Sequence, residues 1–300
     1  MTESLDKAKY SHLNQEPQSV LDRPLKERIN YIRSPRWIGH PTAQSILTQL
    51  EDLIEFPRND RMKNLLIYGE SNAGKSMIAR RFQEKHTVQE LNDEKRFDVP
   101  VLLIQAPPTA NENRLYGNML DAVFAPFSST SNPDRRCRQL HKILPELGVK
   151  VLVIDEFHAM LNGPYDKQRQ IVTALRLFSN DLKIPIVGLG TASALRVLKT
   201  DSQLDTRFRK VSLPRWVFGT DFRRLLVSFE RMLPLKEPSG LSEKVIAKKI
   251  FDLSEGVMGE VSDVLIEASV SALRAGKERI DMAQLKSMNW DKPSDRRVQK

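Results

Sequence analysis

Apolar and polar positions follow two regimes along the chain. Between residues 64 and 213, short and nearly unbroken apolar runs alternate with segments of helical period. The runs cover 64–68, 99–104, 150–154, 184–189 and 210–213. Unbroken apolar runs of this length suit parallel strands covered by helices on both faces. The helical segments fall at about 71–86, 112–123, 134–147 and 167–178. In the last of these, Ile171, Ala174, Leu175 and Phe178 make one apolar stripe. Upstream, Ala43, Ile46, Leu47, Leu50, Leu53 and Ile54 share a helix face. Strands alternating with helices predict a doubly wound α/β domain with a five-stranded parallel sheet. After Trp216 the strand pattern stops. Phe222, Leu225, Leu226 and Phe229 form one helical stripe, Val245, Ile246, Ile250 and Phe251 a second, and Val261, Val264, Leu265, Ala268 and Ala272 a third. The expected organisation is a flexible arm over 1–24, the α/β domain over 25–218, an all-helical domain over 219–288 and a loose polar tail over 289–300.

The first apolar run carries the clearest chemistry. Leu65, Leu66, Ile67 and Tyr68 lead into Gly69, Glu70, Ser71, Asn72, Ala73, Gly74, Lys75 and Ser76. This matches G-x-x-x-x-G-K-[ST], the phosphate-binding loop, in its required setting of strand, loop and helix. Gly69 and Gly74 admit backbone conformations closed to other residues. The loop can then turn its N–H groups onto phosphates at the positive end of the following helix. Lys75 would reach the β- and γ-phosphates of ATP, and Ser76 would bind Mg²⁺. Ile38, upstream of the loop, is either a wall of an adenine pocket or a core residue.

The third run, Val151 to Ile154, ends in Asp155 and Glu156. An acid at the C-terminal end of a buried strand stands where such sheets bind ligands. Asp155 is the second expected Mg²⁺ ligand and Glu156 the expected general base for an attacking water. The fourth run is followed by Thr191, a candidate γ-phosphate sensor that could equally cap the helix after it. Arg207 precedes the last run and is a candidate arginine finger, with Arg209 as the alternative.

Composition adds little that contradicts this. The formal charge of +9 favours a polyanionic partner. The one cysteine, Cys137, excludes an internal disulfide and fits a cytoplasmic protein. No apolar run approaches the ~20 residues that span a bilayer, and the N-terminus lacks the apolar core of a secretion signal.

The order of phosphate loop, Asp-Glu strand, Thr191, the Arg207-Phe208 pair and a helical lid resembles the AAA+ ATPases. More narrowly, residues 65–76, 154–158, 187–191 and 205–208 resemble the TniB/TnsC group of transposition ATPases, related to MuB. The resemblance implies an ATP-dependent protein that oligomerises as a ring or filament on double-stranded DNA. It would recruit or activate a transposase there. It also implies that Arg207 acts on a neighbouring subunit, and that DNA meets the loops near Asn113 and Arg114 and near Lys167 and Arg169. Arg135, Arg136, Arg138 and Lys142 form a further basic cluster, which a solvated helix face explains equally well. One departure stands out, since Glu260 occupies the place where many AAA+ lids carry an arginine. A helicase-loader or replication-initiator ATPase, and a nucleotide-gated DNA scaffold with little turnover, are the rival readings.

Overall fold

A computed structural model describes residues 10–86 and 98–298 of the chain. These residues form two compact units. The first is continuous in sequence, from Pro41 to Pro214. The second combines the segment up to His40 with the segment from Arg215 onward.

The continuous unit is the expected α/β domain. Helix α3 (Pro41–Glu55) leads to strand β1 (Asn64–Gly69), helix α4 (Lys75–Lys85) and strand β2 (Val101–Gln105). Then come α5 (Glu112–Ala122), α6 (Pro133–Glu146), β3 (Val151–Asp155) and a 3₁₀ turn (Phe157–Leu161). The unit ends with α7 (Tyr165–Leu182), β4 (Ile186–Gly190), α8 (Ala194–Lys199), α9 (Ser202–Asp205) and β5 (Phe208–Leu213). All four strand pairings are parallel, and the order is β2-β3-β4-β1-β5. The central strands β3 and β4 are the most deeply buried, as their unbroken apolar runs require. The edge strand β5 is exposed at Arg209, Lys210 and Ser212.

β2 and β4 begin two residues later than the apolar pattern suggests, because proline has no N–H for the ladder. Pro100 precedes β2 and accepts from the Val151 N–H at 3.0 Å, while Pro185 precedes β4 and accepts from the Leu152 N–H at 3.1 Å. Helix α4 also starts later than residue 71, since Asn72 and Gly74 hold positive φ values of 62° and 94°.

The second unit differs from the expected division. Its helices are α1 (Gln15–Gln18), α2 (Leu25–Arg33), α10 (Thr220–Glu230), α11 (Lys244–Ser254), α12 (Met258–Arg274), α13 (Met282–Ser287) and α14 (Pro293–Val298). Residues 25–40 belong here and not to the α/β domain, because Ile29, Ile32 and Ile38 join the core formed by Phe222, Leu226 and Leu265. The expected flexible arm is corrected over residues 10–24. Leu13, Val20 and Leu21 are buried, the Asn14 N–H donates to the Arg231 carbonyl at 2.9 Å, and His12 Nε2 lies 3.0 Å from the Leu235 carbonyl. The expected loose tail is corrected over 289–298. Arg296 pairs with Glu260, and the Ser294 N–H donates to Glu255 at 3.1 Å. Residues 1–9 of that arm and 299–300 of that tail lie outside the described residues.

Arg28 ties the two halves of this unit together. Its guanidinium is buried and donates to both carboxylate oxygens of Glu278, at 2.8 and 2.6 Å, and to the Pro234 carbonyl at 2.7 Å. Burial works to raise the Glu278 carboxyl. Its hydrogen bonds from Arg28 and the Lys236 N–H outweigh burial and hold it below the usual glutamate range. Stability from this pair is present above the unfolded glutamate range and is lost as pH falls through the lower folded value. Arg28→Ala is therefore expected to cost about 3 kcal/mol and to flatten the acid limb of the stability profile. Urea unfolding from pH 7 down to pH 3 checks both, and an unchanged midpoint would remove the pair from this role.

Candidate functional site

The sheet topology decides where the chemistry can sit. All five strands run the same way, so the loops after β1, β3 and β4 leave one edge of the sheet. β4 lies between β1 and β3, which puts the end of Thr191's strand between the phosphate loop and the Asp-Glu pair.

The loop is shaped by its two glycines for different reasons. Gly74 sits in the left-handed region at the start of α4. Gly69 needs no unusual φ. A side chain there would place Cβ 2.4 Å from the Leu213 carbonyl oxygen of β5. Lys75 is 7% exposed, and its Nζ donates to the carbonyls of Gly69 at 3.0 Å and Glu70 at 2.6 Å. Burial holds its ammonium below the usual lysine range, against the pull of Glu156, Asp155 and Glu70.

Ser76 and Asp155, 79 residues apart in sequence, meet. Ser76 Oγ donates to Asp155 Oδ2 at 2.5 Å, and the Glu156 N–H donates to Asp155 Oδ1 at 2.8 Å. Both carboxylate oxygens are thus fixed in direction. A hydroxyl and a carboxylate are hard oxygen donors of the kind Mg²⁺ takes together with substrate phosphates and water. The residues fit that ion, which Ser76 and Asp155 would hold. Glu156 follows in the left-handed conformation, φ 54°, and its side chain is 46% exposed. His158 Nε2 stands 3.3 Å from Glu156 Oε2.

The remaining predicted residues lie as follows. Thr191 directly follows β4, and its Oγ1 lies 2.7 Å from Ser193 Oγ. Arg207 lies at the opposite edge of the sheet. Its carbonyl accepts from the N–H of Asn64, the first residue of β1, at 2.9 Å. The length of β1 therefore separates it from its own phosphate loop, roughly 16 Å at strand rise. Its Nη1 donates to Asn180 Oδ1. Arg209 is exposed on β5. Ile38 is buried in the core of the helical unit, and that packing accounts for its apolar character.

Arg114, Lys167 and Arg169 are all exposed near the starts of α5 and α7. Those starts are tied together. The Ala110 N–H donates to the Asn162 carbonyl at 2.8 Å, and Gln170 Nε2 to Glu112 Oε1 at 3.4 Å. Acids interrupt the cations, because Arg169 shares an open groove of about 570 Å³ with Glu112, Asp134, Asp166 and Asp181. Burial raises the Glu112 carboxyl, Asp134 adds to this, and Lys167 opposes it. The other basic cluster is not one surface. Arg136 is buried, donates to the Asn113 carbonyl at 2.8 Å and Ser131 Oγ at 3.0 Å, and stacks 4.4 Å from the Phe127 ring. Arg135, Arg138 and Lys142 stay exposed. The sequence assigned no role to His158 and placed Arg136 only in the exposed basic cluster. The spacing Asp155-Glu156-Phe157-His158 was the available signal for the former, and nothing in the sequence marked the burial of the latter.

A model of the family described as bacterial TniB protein matches residues 28–218. The chain belongs to the TniB family. The match takes in the whole α/β unit and both expected nucleotide motifs of this TniB chain. No curated protein sequence matches it. Among solved structures it is similar to the ORC2 protein of Aeropyrum pernix in its ADPNP–ADP complexes, at TM-score 0.62 and 14% identity over 86% of this chain and 70% of that one. It is also similar to the ORC1 protein of the same organism in complex with DNA, at 0.59 and 17% over 87% and 68%. Cdc6p of Pyrobaculum aerophilum follows at 0.58 and 18% over 84% and 68%. At these identities the likeness establishes the AAA+ fold. Among the described residues no helix is long and apolar enough to cross a membrane.

Lys75 supplies a direct test of the phosphate loop. Saturating ATP at about 100 times its dissociation constant should stabilise the wild-type chain by about 2.7 kcal/mol. Lys75→Ala should lose most of that gain, as read by thermal melting with and without nucleotide. A full ATP-dependent shift in the mutant would sink the assignment.

Proposed function

We propose that this TniB-family chain is an ATPase that uses nucleotide to control its grip on double-stranded DNA, and that it recruits or activates a transposase there. The observation that carries the nucleotide reading is the meeting of Ser76 with Asp155 beside a buried Lys75 on its loop. In this reading Gly69 to Ser76 bind the phosphates through loop N–H groups, and Lys75 exchanges its two carbonyl partners for phosphate oxygens. A bound Mg²⁺ supplies positive charge to the phosphate oxygens. Glu156 accepts the proton of the attacking water, and Thr191 orients the γ-phosphate end. Arg114, Lys167 and Arg169 would carry DNA contact through phosphates, independent of sequence. The family membership supports the transposition reading. The DNA reading draws support from the A. pernix ORC1 protein, which shares the fold and was solved in complex with DNA.

Glu156→Gln separates binding from turnover. The mutant should bind MgATP normally, release phosphate at under about a hundredth of the wild-type rate, and stay longer on duplex DNA. Adding charge reversal at Arg114, Lys167 and Arg169 should abolish that retention for every DNA sequence alike. Wild-type hydrolysis by Glu156→Gln would end its role as base. No hydrolysis by the wild type, with or without DNA, would favour the scaffold reading.

The distance of Arg207 from its own loop motivates a shared site, in which Arg207 completes the site of a neighbouring subunit in a homo-oligomer. A trans arginine can contribute about 10³–10⁵ in rate. Arg207→Ala and Lys75→Ala should each be inactive, and their mixture should regain activity because Lys75→Ala subunits still lend Arg207. Co-assembly without regained hydrolysis would exclude Arg207 and move the same test to Arg209.

A further inference from the structure

We infer that His158 is the positioning residue for Glu156, a role that rests on Glu156 being the base. The geometry of the turn after β3 leads to this. Asp155 is held at both oxygens by Ser76 and by a backbone N–H. Among the described residues no hydrogen bond restrains the Glu156 side chain in this way. Its side chain is 46% exposed and three torsions long, and a base that wanders is a poor base. Among the described residues, His158 is the side chain within ion-pairing distance of its carboxylate, with Nε2 at 3.3 Å from Oε2.

The imidazole is itself held. Glu156 turns the chain through the left-handed region, and Phe157, fully buried, anchors the 3₁₀ turn. The turn hydrogen bond from the Ala159 N–H to the Glu156 carbonyl closes it at 2.8 Å. On the far side of the ring, Gly190 at the end of β4 lies so close that a Cβ there would sit 3.4 Å from His158 Nδ1 and 2.9 Å from Ala194 Cβ. His158 Nδ1 is buried and has no hydrogen-bond partner among the described residues. A hydrogen on Nδ1 would be an orphaned buried donor, which costs about 1–3 kcal/mol. The tautomer with the hydrogen on Nε2 avoids that penalty and puts the donor nitrogen 3.3 Å from Glu156 Oε2. A donor beside one carboxylate oxygen steers the group and leaves its other oxygen free for water. His158 also spans from the base to the strand end that precedes Thr191, so the base and that strand share one wall.

Two substitutions of similar polarity separate positioning from packing. Gln can place an amide N–H where Nε2 stands, whereas Asn can place one only near Nδ1. Phosphate release and binding of a fluorescent ATP analogue are measured on the full chain with Mg²⁺ and duplex DNA. His158→Asn and His158→Ala are expected to lower kcat about ten- to a hundredfold, with KM and analogue affinity within about twofold of wild type. His158→Gln should regain most of the lost rate. On a Glu156→Gln background, His158→Asn should cost nothing further. Equal kcat in the Asn and Gln variants, or an unchanged kcat in the Asn variant, would overturn the inference. So would a change confined to KM. Melting curves show whether the Ala variant folds, and the Asn–Gln contrast decides if it does not. The failures are distinguishable. If Glu156→Gln hydrolyses ATP normally, the base assignment falls and the positioning role with it. If Glu156→Gln is inactive and the His158 variants are not, only the positioning role falls.

Discussion

The hydrogen bond from Ser76 to Asp155 bridges a gap that the strand order creates. The loop follows β1 and the acid ends β3, and β4 runs between them. A carboxylate two strands away can meet the loop only if the register of all three strands is right. The pairings of Ile67 with Leu189 and of Ile154 with Gly188 set that register. A slip by one residue would turn every side chain to the opposite face. The apolar packing of the sheet is therefore what fixes a polar distance of 2.5 Å. That same packing buries Lys75, whose ammonium is satisfied by carbonyls of its own loop. A preorganised cation of this kind would lose little freedom if phosphate replaced those partners.

The candidate site was legible where its pattern is local. A loop that could wrap a phosphate has to be contiguous, so the pattern of residues 69–76 and the folded loop coincide. Asp155 was legible because a carboxylate ending an apolar strand has few structural reasons to be there. The sheet was legible for a related reason, since strands covered on both faces are apolar throughout. Strand starts were blurred by Pro100 and Pro185, which are apolar but cannot join a ladder as donors. What stayed hidden depends on pairs far apart in sequence. Nothing near Arg28 announces Glu278, and nothing in the 10–24 segment marks Leu13, Val20 and Leu21 as buried, because three apolar residues in a polar stretch make no period. His158 was written in the sequence, but its use depends on a wall formed by Gly190, which only the sheet supplies.

The net charge of +9 overstates what the surface offers to a polyanion. Arg28 and Arg136 are buried and engaged with carbonyls or a carboxylate. Lys210 pairs with Asp205 at 2.7 Å and Arg176 with Asp201 at 2.8 Å. At the starts of α5 and α7 the cations alternate with Glu112 and Asp166. DNA attraction at this face would be local, set by a few exposed side chains at close range, since alternating charges cancel beyond a Debye length of about 8 Å.

The helical unit is built from both ends of the chain, and this constrains how it forms. The His12 contact with Leu235 spans 223 residues, and the Arg28 pair with Glu278 spans 250. Contacts of such separation carry a high closure cost if the chain between them is flexible. The α/β unit occupies the whole interval as a continuous stretch with its own core. Once it has folded, the ends at Pro41 and Pro214 are fixed in distance, and the closure of the helical unit no longer bears the entropy of the interval. Until then Ile29 and Ile32 have no core to enter, because Phe222 and Leu265 come later in the chain. Connectivity thus favours the order α/β unit first, helical unit second. It also means that the segment from residue 10 to residue 40, although it precedes the α/β unit in the chain, is among the last to be buried.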